Sequence, residues 1–312
     1  MMSTMGTGDT QITDPAAVAG NGSIRMNRFG LGDFIIMLII SLLCLTCILP
    51  FIHVAAKSLS SNTAVMSKIV YLWPKGFNVN AYVSIFRDGQ LTHSMLYSVE
   101  VTAIFTVIGM ILTTCAAYPL SRKYLKGRNP LSLIFLFTMY FSAGLIPEYL
   151  LYKQLNLINN MWVLILPLAF SPYNMLIMKS FISSTIPDSL EEAAFLDGAS
   201  HFQILRQVIL PLSKPIIATL SLFYAVGRWN AYADARYYIT KKALQPIQYL
   251  LSNMVLSSGS DAVSLSESSA VTSTPEVLQA ATIMFATLPI LCIYPFVQKY
   301  FVKGVMIGAV KG

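Results

Sequence analysis

The sequence predicts an all-α integral membrane protein with six spanning helices, and two observations lead there. The first is composition. Of 312 residues, 55% are hydrophobic and 11% are charged, where ordinary soluble domains carry roughly 25% charged residues. Mean hydropathy is +0.63. A soluble core this apolar would leave large apolar patches facing water, so lipid is the simpler solvent. The second observation is how the apolar residues are grouped. They fall in runs long enough to cross the hydrocarbon as helices, which takes roughly 20 residues. Lipid offers the backbone no hydrogen-bond partners, so such runs must be helical.

Each element follows in order. Residues 1–30 are rich in Gly, Ser, Thr and Asp without an apolar period, and read as a disordered cytoplasmic tail. Residues 31–300 form the transmembrane domain. Its first run, 34–56, is long and lacks a small-residue cleavage site, so it reads as a retained span rather than a signal peptide. Further spans are expected at 94–120, 131–151, 161–180, 215–238 and 277–298, the fifth interrupted by Arg228 and Asp234. Residues 57–93 hold Trp73-Pro74-Lys75-Gly76 and the stretch Tyr82–Phe86, which suggest short interfacial helices. The segment Ser257–Thr274 is Ser-rich and reads as a flexible external loop. Residues 301–312 are expected to be a cytoplasmic tail.

The net charge of +7 does not point to nucleic acid, because the basic residues are not gathered on one patch. They sit between apolar runs, where they set topology. Arg25 and Arg28 precede the first span; Arg122, Lys123, Lys126 and Arg128 fill the second connection; Arg206 and Lys214 lie in the fourth; Lys299, Lys303 and Lys311 follow the last. With both termini cytoplasmic, all of these fall on the cytoplasmic face. Cys44 and Cys47 have C-x-x-C spacing, but no second pair or histidine completes a metal or redox site, and with Cys115 and Cys292 they read as lipid-embedded packing. His53, His93 and His201 are scattered.

The most informative stretch is the connection 183–211. Pro187-Asp188-Ser189-Leu190-Glu191-Glu192 is a helix start, with Asp188 or Ser189 as the cap and Glu191 and Glu192 in the first turn. Gly198 suits a left-handed stop. Ser200, with Gln203 three residues on, opens a second helix that ends near Pro211, and Pro215 suits the first turn of the next span. Leu190, Ala193, Ala194 and Asp197 share one helical face. Two readings fit this helix–turn–helix elbow: a slim intracellular docking knob, or a plain elbow at the membrane surface.

Glu192-Ala193-Ala194, then Gly198, then Val208-Ile209-Leu210-Pro211 resembles the EAA loop of bacterial ABC-importer permeases, with Val208 in place of the usual isoleucine. Trp229-Asn230-Ala231-Tyr232 is similar to the W-N-x-aromatic segment of maltose-type carbohydrate permeases, and the tail from Gln298 to Gly312 to that of oligosaccharide permeases of the aldouronate or alginate kind. The resemblance implies a type I ABC-importer permease fold in a bacterial cell membrane. It also implies two permease chains, the second usually different, paired above two cytoplasmic ABC ATPases, with an extracytoplasmic binding protein delivering a sugar. The helix Glu192–Gly198 would be the coupling helix seated on the ATPase, with Glu192 as anchor, Ala193 and Ala194 allowing close approach, and Asp197, Gly198 and Pro211 completing the loop. No G-x-x-x-x-G-K-[ST] loop occurs in the sequence, so ATP and Mg²⁺ are expected on the partner ATPase, with no cofactor in this chain and no enzymatic activity of its own.

Candidate pathway residues are Glu100, Tyr140, Asn174, Arg228, Trp229, Asn230 and Tyr232. Charges inside spans are functional suspects, so Glu100 and Arg228 are expected to approach each other beside the cavity, although an inter-subunit pair or snorkelling to the surface fits equally. Trp229, Asn230 and Tyr232 suit sugar stacking and hydrogen bonding, yet interfacial aromatics look the same. The alternative of another class is a secondary transporter, which would show inverted halves and broken helices with intramembrane acids. Six spans, no visible repeat and the elbow favour the importer. The elbow is the deciding feature.

Overall fold

A computed structural model describes residues 31–257 and 274–309, and all regular structure among them is helical. Expectations for residues 1–30, for 258–273 in the Ser-rich segment and for 310–312 lie outside the described residues.

Of the unit Met1–Pro50, the described part belongs to α1 (Leu31–Ser58), whose apolar side chains from Phe34 to Leu49 are exposed on every side. An all-round apolar helix suits lipid, not water. The second unit, Phe51–Gly312, holds the remaining elements. In chain order they are α2 (Asn62–Met66), α3 (Asn80–Asp88), α4 (Gln90–Ser121), α5 (Arg128–Tyr140), α6 (Leu145–Gln154), α7 (Pro172–Thr185), α8 (Asp188–Leu196), α9 (His201–Ile204), α10 (Leu210–Leu212), α11 (Lys214–Asn230), α12 (Ala233–Tyr238), α13 (Ile247–Ser257) and α14 (Pro275–Ala309). Two 3₁₀ turns, Met161–Leu164 and Leu166–Leu168, precede α7, and another, Lys242–Leu244, precedes α13.

Gly32–Ser58, Gln90–Ser121 and Pro275–Ile293 are long and apolar enough to cross a membrane singly. Among the described residues, three bent pairs bring the candidate spans to six if each pair is one span: α5 with α6, broken by 110°; Met161–Leu168 with α7, by 48°; and His201–Leu212 with α11, by 82°. The third expected span is therefore sharply bent at 141–144, where Gly144 has φ +87°. The expected fifth span, 215–238, ends instead at Asn230, and α12 follows as a separate short helix. The expected tail at 301 is a continuation of α14 as far as Ala309.

α4 organises the larger unit. Its buried residues Val101, Phe105, Gly109, Thr113 and Ala117 recur every four positions, one stripe of a helix, and α7 and α11 pack along it. Gly109 is the point of closest approach: a Cβ there would lie 2.9 Å from Ala169 O and from Cε1 of Tyr224. Tyr224 ties the layers together, its hydroxyl 2.6 Å from Thr113 Oγ1 and accepting from Ser171 N at 3.0 Å. A second core, built from Ile85, Leu91, Met95, Trp229, Ile247, Val277 and Phe285 among others, closes the end opposite the elbow.

Candidate functional site: the elbow junction and the cavities beyond it

The elbow forms as its local signals demand, with one exception. Gly198 adopts φ +82°, a region that costs an L-residue roughly 1–2 kcal/mol. Ser200 and Gln203 make a full capping box. Leu205–Ile209 forms a π-helical turn just before Pro211. Proline lacks the N–H that would continue the ordinary ladder, and the wider turn accommodates it. The exception is the start of α8: its N-cap is Pro187, without a side-chain cap, because Asp188 is turned to another task.

That task is a buried ionic junction. Arg122, at the C-terminal end of α4, is 1% exposed and Glu191 of α8 is 3% exposed. Arg122 Nε lies 2.6 Å from Glu191 Oε2, and Nη1 donates to Asp188 Oδ1 at 3.2 Å. Glu191 Oε1 accepts from the Tyr118 hydroxyl at 2.6 Å and from the Tyr124 hydroxyl at 3.0 Å. The guanidinium also sits 5.5 Å from the centre of the Tyr118 ring. Burial pushes the Tyr124 hydroxyl above its ordinary pKa of 10.0, and its hydrogen bond to Glu191 adds to the shift. Around this centre His201 packs between Phe195, at 4.8 Å, and Tyr124, at 6.1 Å.

With Glu191 and Ala194 facing inward, the opposite side of α8 is free: Glu192, Ala193 and Asp197 are exposed, and Leu196 is 90% exposed. The expected common face of Leu190, Ala193, Ala194 and Asp197 is therefore divided, since Ala194 packs on the core. Pro211 is exposed at the bend.

Beyond the junction, the candidate pathway residues separate into groups. Asn174 and Arg228 line a cavity of about 210 Å³ with Phe105, Leu168, Ser171 and Tyr224. Asn230 and Tyr232 line a larger cavity of about 400 Å³ with Glu148, Tyr152, Tyr237 and Tyr238. Leu168 and Ala231 border both, and the ion pair of Arg228 with Asp234 stands between them, Arg228 on the smaller and Asp234 on the larger. Arg228 also donates to Leu164 O at 2.8 Å. The expected approach of Glu100 to Arg228 does not become an ion pair: the arginine pairs with Asp234, and Glu100 is exposed. The reading of Trp229 is corrected. It is 6% exposed in the second core, so its ring is packing rather than an open stacking face. Tyr140, 83% exposed, lines neither of these cavities.

Residues 16–307 match the family described as binding-protein-dependent transport system inner membrane component. The chain belongs to this family. The permease is 44% identical over 281 residues to the polygalacturonan/rhamnogalacturonan transport system permease protein YtcP of Bacillus subtilis (strain 168), covering 90% of this chain and 98% of that one. It is 40% identical over 265 residues to Protein LplC of the same organism, covering 85% and 90%. Its fold matches a chain in the crystal structure of a bacterial ABC transporter involved in the import of the acidic polysaccharide alginate. There the TM-score is 0.80 and the identity 30%, over 88% of this chain and 99% of the other. The type I permease architecture expected from the elbow motif is therefore present, and the chain is a transport subunit, not an enzyme.

Sequence reasoning on the permease found α8 but missed Arg122, Tyr118, Tyr124 and the inward role of Glu191. A signal existed in part: Glu191 is one step off the exposed Glu192, and on an amphipathic helix only one of two adjacent acids can face the protein. The partner is 69 positions away in Arg122, which looked like one of four topology-setting cations.

Proposed function

We propose that this permease forms one half of the membrane pathway of an ABC importer for an oligosaccharide, and that α8 is where a cytoplasmic ATPase docks. The observation that carries the reading is the division of α8 into a face locked by Arg122 and a face left open, with Leu196 90% exposed beside Ala193 and Glu192. An exposed leucine flanked by small and acidic residues suits a groove on another protein, because small side chains permit close approach and the leucine supplies an apolar anchor.

The sugar assignment rests on the relatives, whose names specify polygalacturonan/rhamnogalacturonan and alginate. The cavity lined by Tyr152, Tyr232, Tyr237, Tyr238, Asn230 and Glu148 supports it, since sugar rings take aromatic faces and hydrogen-bonding side chains. A second permease, two ATPases that bind ATP and Mg²⁺, and an extracytoplasmic binding protein complete the machine, as the family implies. In this reading both termini and the elbow are cytoplasmic. Beside the buried Arg122, the basic residues Lys123, Lys126 and Arg128 cluster at the elbow end of α4, and this basic bias supports that orientation.

The test is co-purification of the tagged chain from its native membrane in mild detergent, beside a Leu196→Arg variant. Recovery of a second permease and an ATPase, with the ATPase alone lost from the variant, supports the reading. A chain recovered without either, and unaffected by the substitution, overturns it.

A further inference from the structure

We infer that Arg122 is a positioning residue: through its buried pair with Glu191 it fixes α8 to α4 as one rigid lever that carries movement of the elbow into the cavity lined by Phe105, Asn174 and Arg228. This rests on the reading of α8 as the ATPase contact.

Burial is the first reason. Both partners are almost wholly removed from solvent. Taking two charges out of water is costly, and replacing such a pair by well-packed apolar residues is often neutral or stabilising. Stability alone therefore gives little ground for an arginine here. What the pair adds is direction. The guanidinium lies against Glu191 through Nε and against Asp188 through Nη1, while its buried Nη2 has no hydrogen-bond partner among the described residues, so two carboxylates three positions apart on α8 are tied to one side chain. The two tyrosine hydroxyls saturate the second carboxylate oxygen of Glu191, leaving that side chain a single orientation.

Continuity is the second reason. Arg122 caps α4 itself, not a linker after it. From Phe105 to Ser121, the residue before Arg122, the helix is continuous with Pro119 in its last turn, and sixteen residues at about 1.5 Å each span about 24 Å. Phe105 lines the smaller cavity and lies beneath Arg228, 5.9 Å from guanidinium carbon to ring centre. On the other side of the junction, Ser183 Oγ of α7 donates to Ser121 O at 3.1 Å, so the end of α7 is fastened at the same level. A shift of α8 thus has a path to the cavity wall through α4, while beyond the turn at Gly198 the chain enters α9, whose Ile204 is buried in the same core as α4 and α7.

The test uses the assembled complex of permeases and ATPases in lipid nanodiscs. Cys44, Cys47, Cys115 and Cys292 are replaced by serine, and Asn174→Cys reports on the cavity through its labelling rate with N-ethylmaleimide. With the junction intact, the rate should differ about tenfold between the nucleotide-free and the ATP-vanadate-trapped complex, within the usual range of coupling between sites. In Glu191→Gln, which keeps the shape and the tyrosine acceptor, the ATPase should still co-purify while that difference collapses towards unity. Arg122→Lys should recover part of it and Arg122→Leu none. Tyr118→Phe and Tyr124→Phe, which remove one hydroxyl each, should reduce it roughly two- to fivefold. A full nucleotide-dependent difference in Glu191→Gln and in both phenylalanine variants overturns the lever, as does loss of the ATPase from Glu191→Gln, which would make the junction a support for the docking face only. Leu196→Arg separates the two readings. If it releases the ATPase while Glu191→Gln labels normally, the lever alone fails; if it leaves the ATPase bound, the docking reading fails and the lever with it.

Discussion

Gly109 of α4 lies against the ring of Tyr224 in α11 with no room for a side chain: a Cβ would stand 2.9 Å from Cε1 and equally close to Ala169 O. One obstacle is backbone and the other is a ring held by hydrogen bonds to Thr113 and Ser171. Neither yields cheaply. Gly109→Ala is expected to destabilise the permease by about 1–3 kcal/mol, the usual range for an overpacked core, and Gly109→Leu by more. The measurement is the thermal unfolding midpoint of detergent-purified protein. A midpoint unchanged in Gly109→Leu would mean the two helices are further apart than described.

Arg228 and Asp234 make the second expectation. The pair is buried, with side-chain exposures of 2% and 12%, and Arg228 also holds Leu164 O. Removing one partner strands the other charge, which typically costs about 3–5 kcal/mol. Asp234→Ala and Arg228→Ala should therefore both lower the yield of folded protein sharply. Glu100→Gln should not, since Glu100 is exposed and pairs with no cation within ion-pair distance among the described residues. Equal damage from Glu100→Gln, read by size-exclusion profile, would reinstate the pairing that the sequence suggested.

The contrast shows what the sequence reveals and what it hides. Apolar runs locate α1, α4 and α14 because lipid imposes one rule on every turn of a spanning helix. The elbow was legible for a related reason: Gly198, the Ser200–Gln203 box and Pro211 act within a few residues of themselves. The 82° break was legible as well, at Pro211 and Pro215, but the 110° bend was not, because apolar composition continues across it. Nor were the partners of charged residues. Asp234 is six positions from Arg228 across a helix break, and Arg122 meets Glu191 only after α4 and α7 pack together. Distance along the chain carries no trace of either pairing.

Alkaline pH should act on the elbow through Tyr124. Its folded pKa is raised above 10.0, burial first and the Glu191 hydrogen bond second, so the neutral hydroxyl is the form that the fold favours. The stability it contributes is present in full below its unfolded value, near pH 10, and is lost as pH rises through the raised folded value. The complex should thus keep a constant thermal midpoint from pH 6 to 9 as far as this group is concerned, and Tyr124→Phe should remove part of the alkaline decline above pH 10. A decline of the same size in Tyr124→Phe would assign it to other groups.

Trp229 and Tyr232 are three residues apart and resemble the same kind of sugar-facing aromatic, yet they stand in different surroundings, and that difference supplies a split test. Trp229 is packed in the core with Ile85, Met95 and Phe285, so Trp229→Ala should act on the fold, at about 3–5 kcal/mol. Tyr232 is 44% exposed on the cavity of about 400 Å³, with Asn230 and Glu148 nearby on its lining. Tyr232→Ala should leave the unfolding midpoint almost unmoved, as exposed substitutions do within about 0.5 kcal/mol, and instead reduce oligosaccharide uptake by whole cells. Uptake and midpoint measured on both variants decide the matter. If Tyr232→Ala transports normally, the tyrosine-lined cavity lies outside the sugar's route; if Trp229→Ala folds normally but fails in transport, the indole must swing out of the core during the cycle and meet the sugar after all.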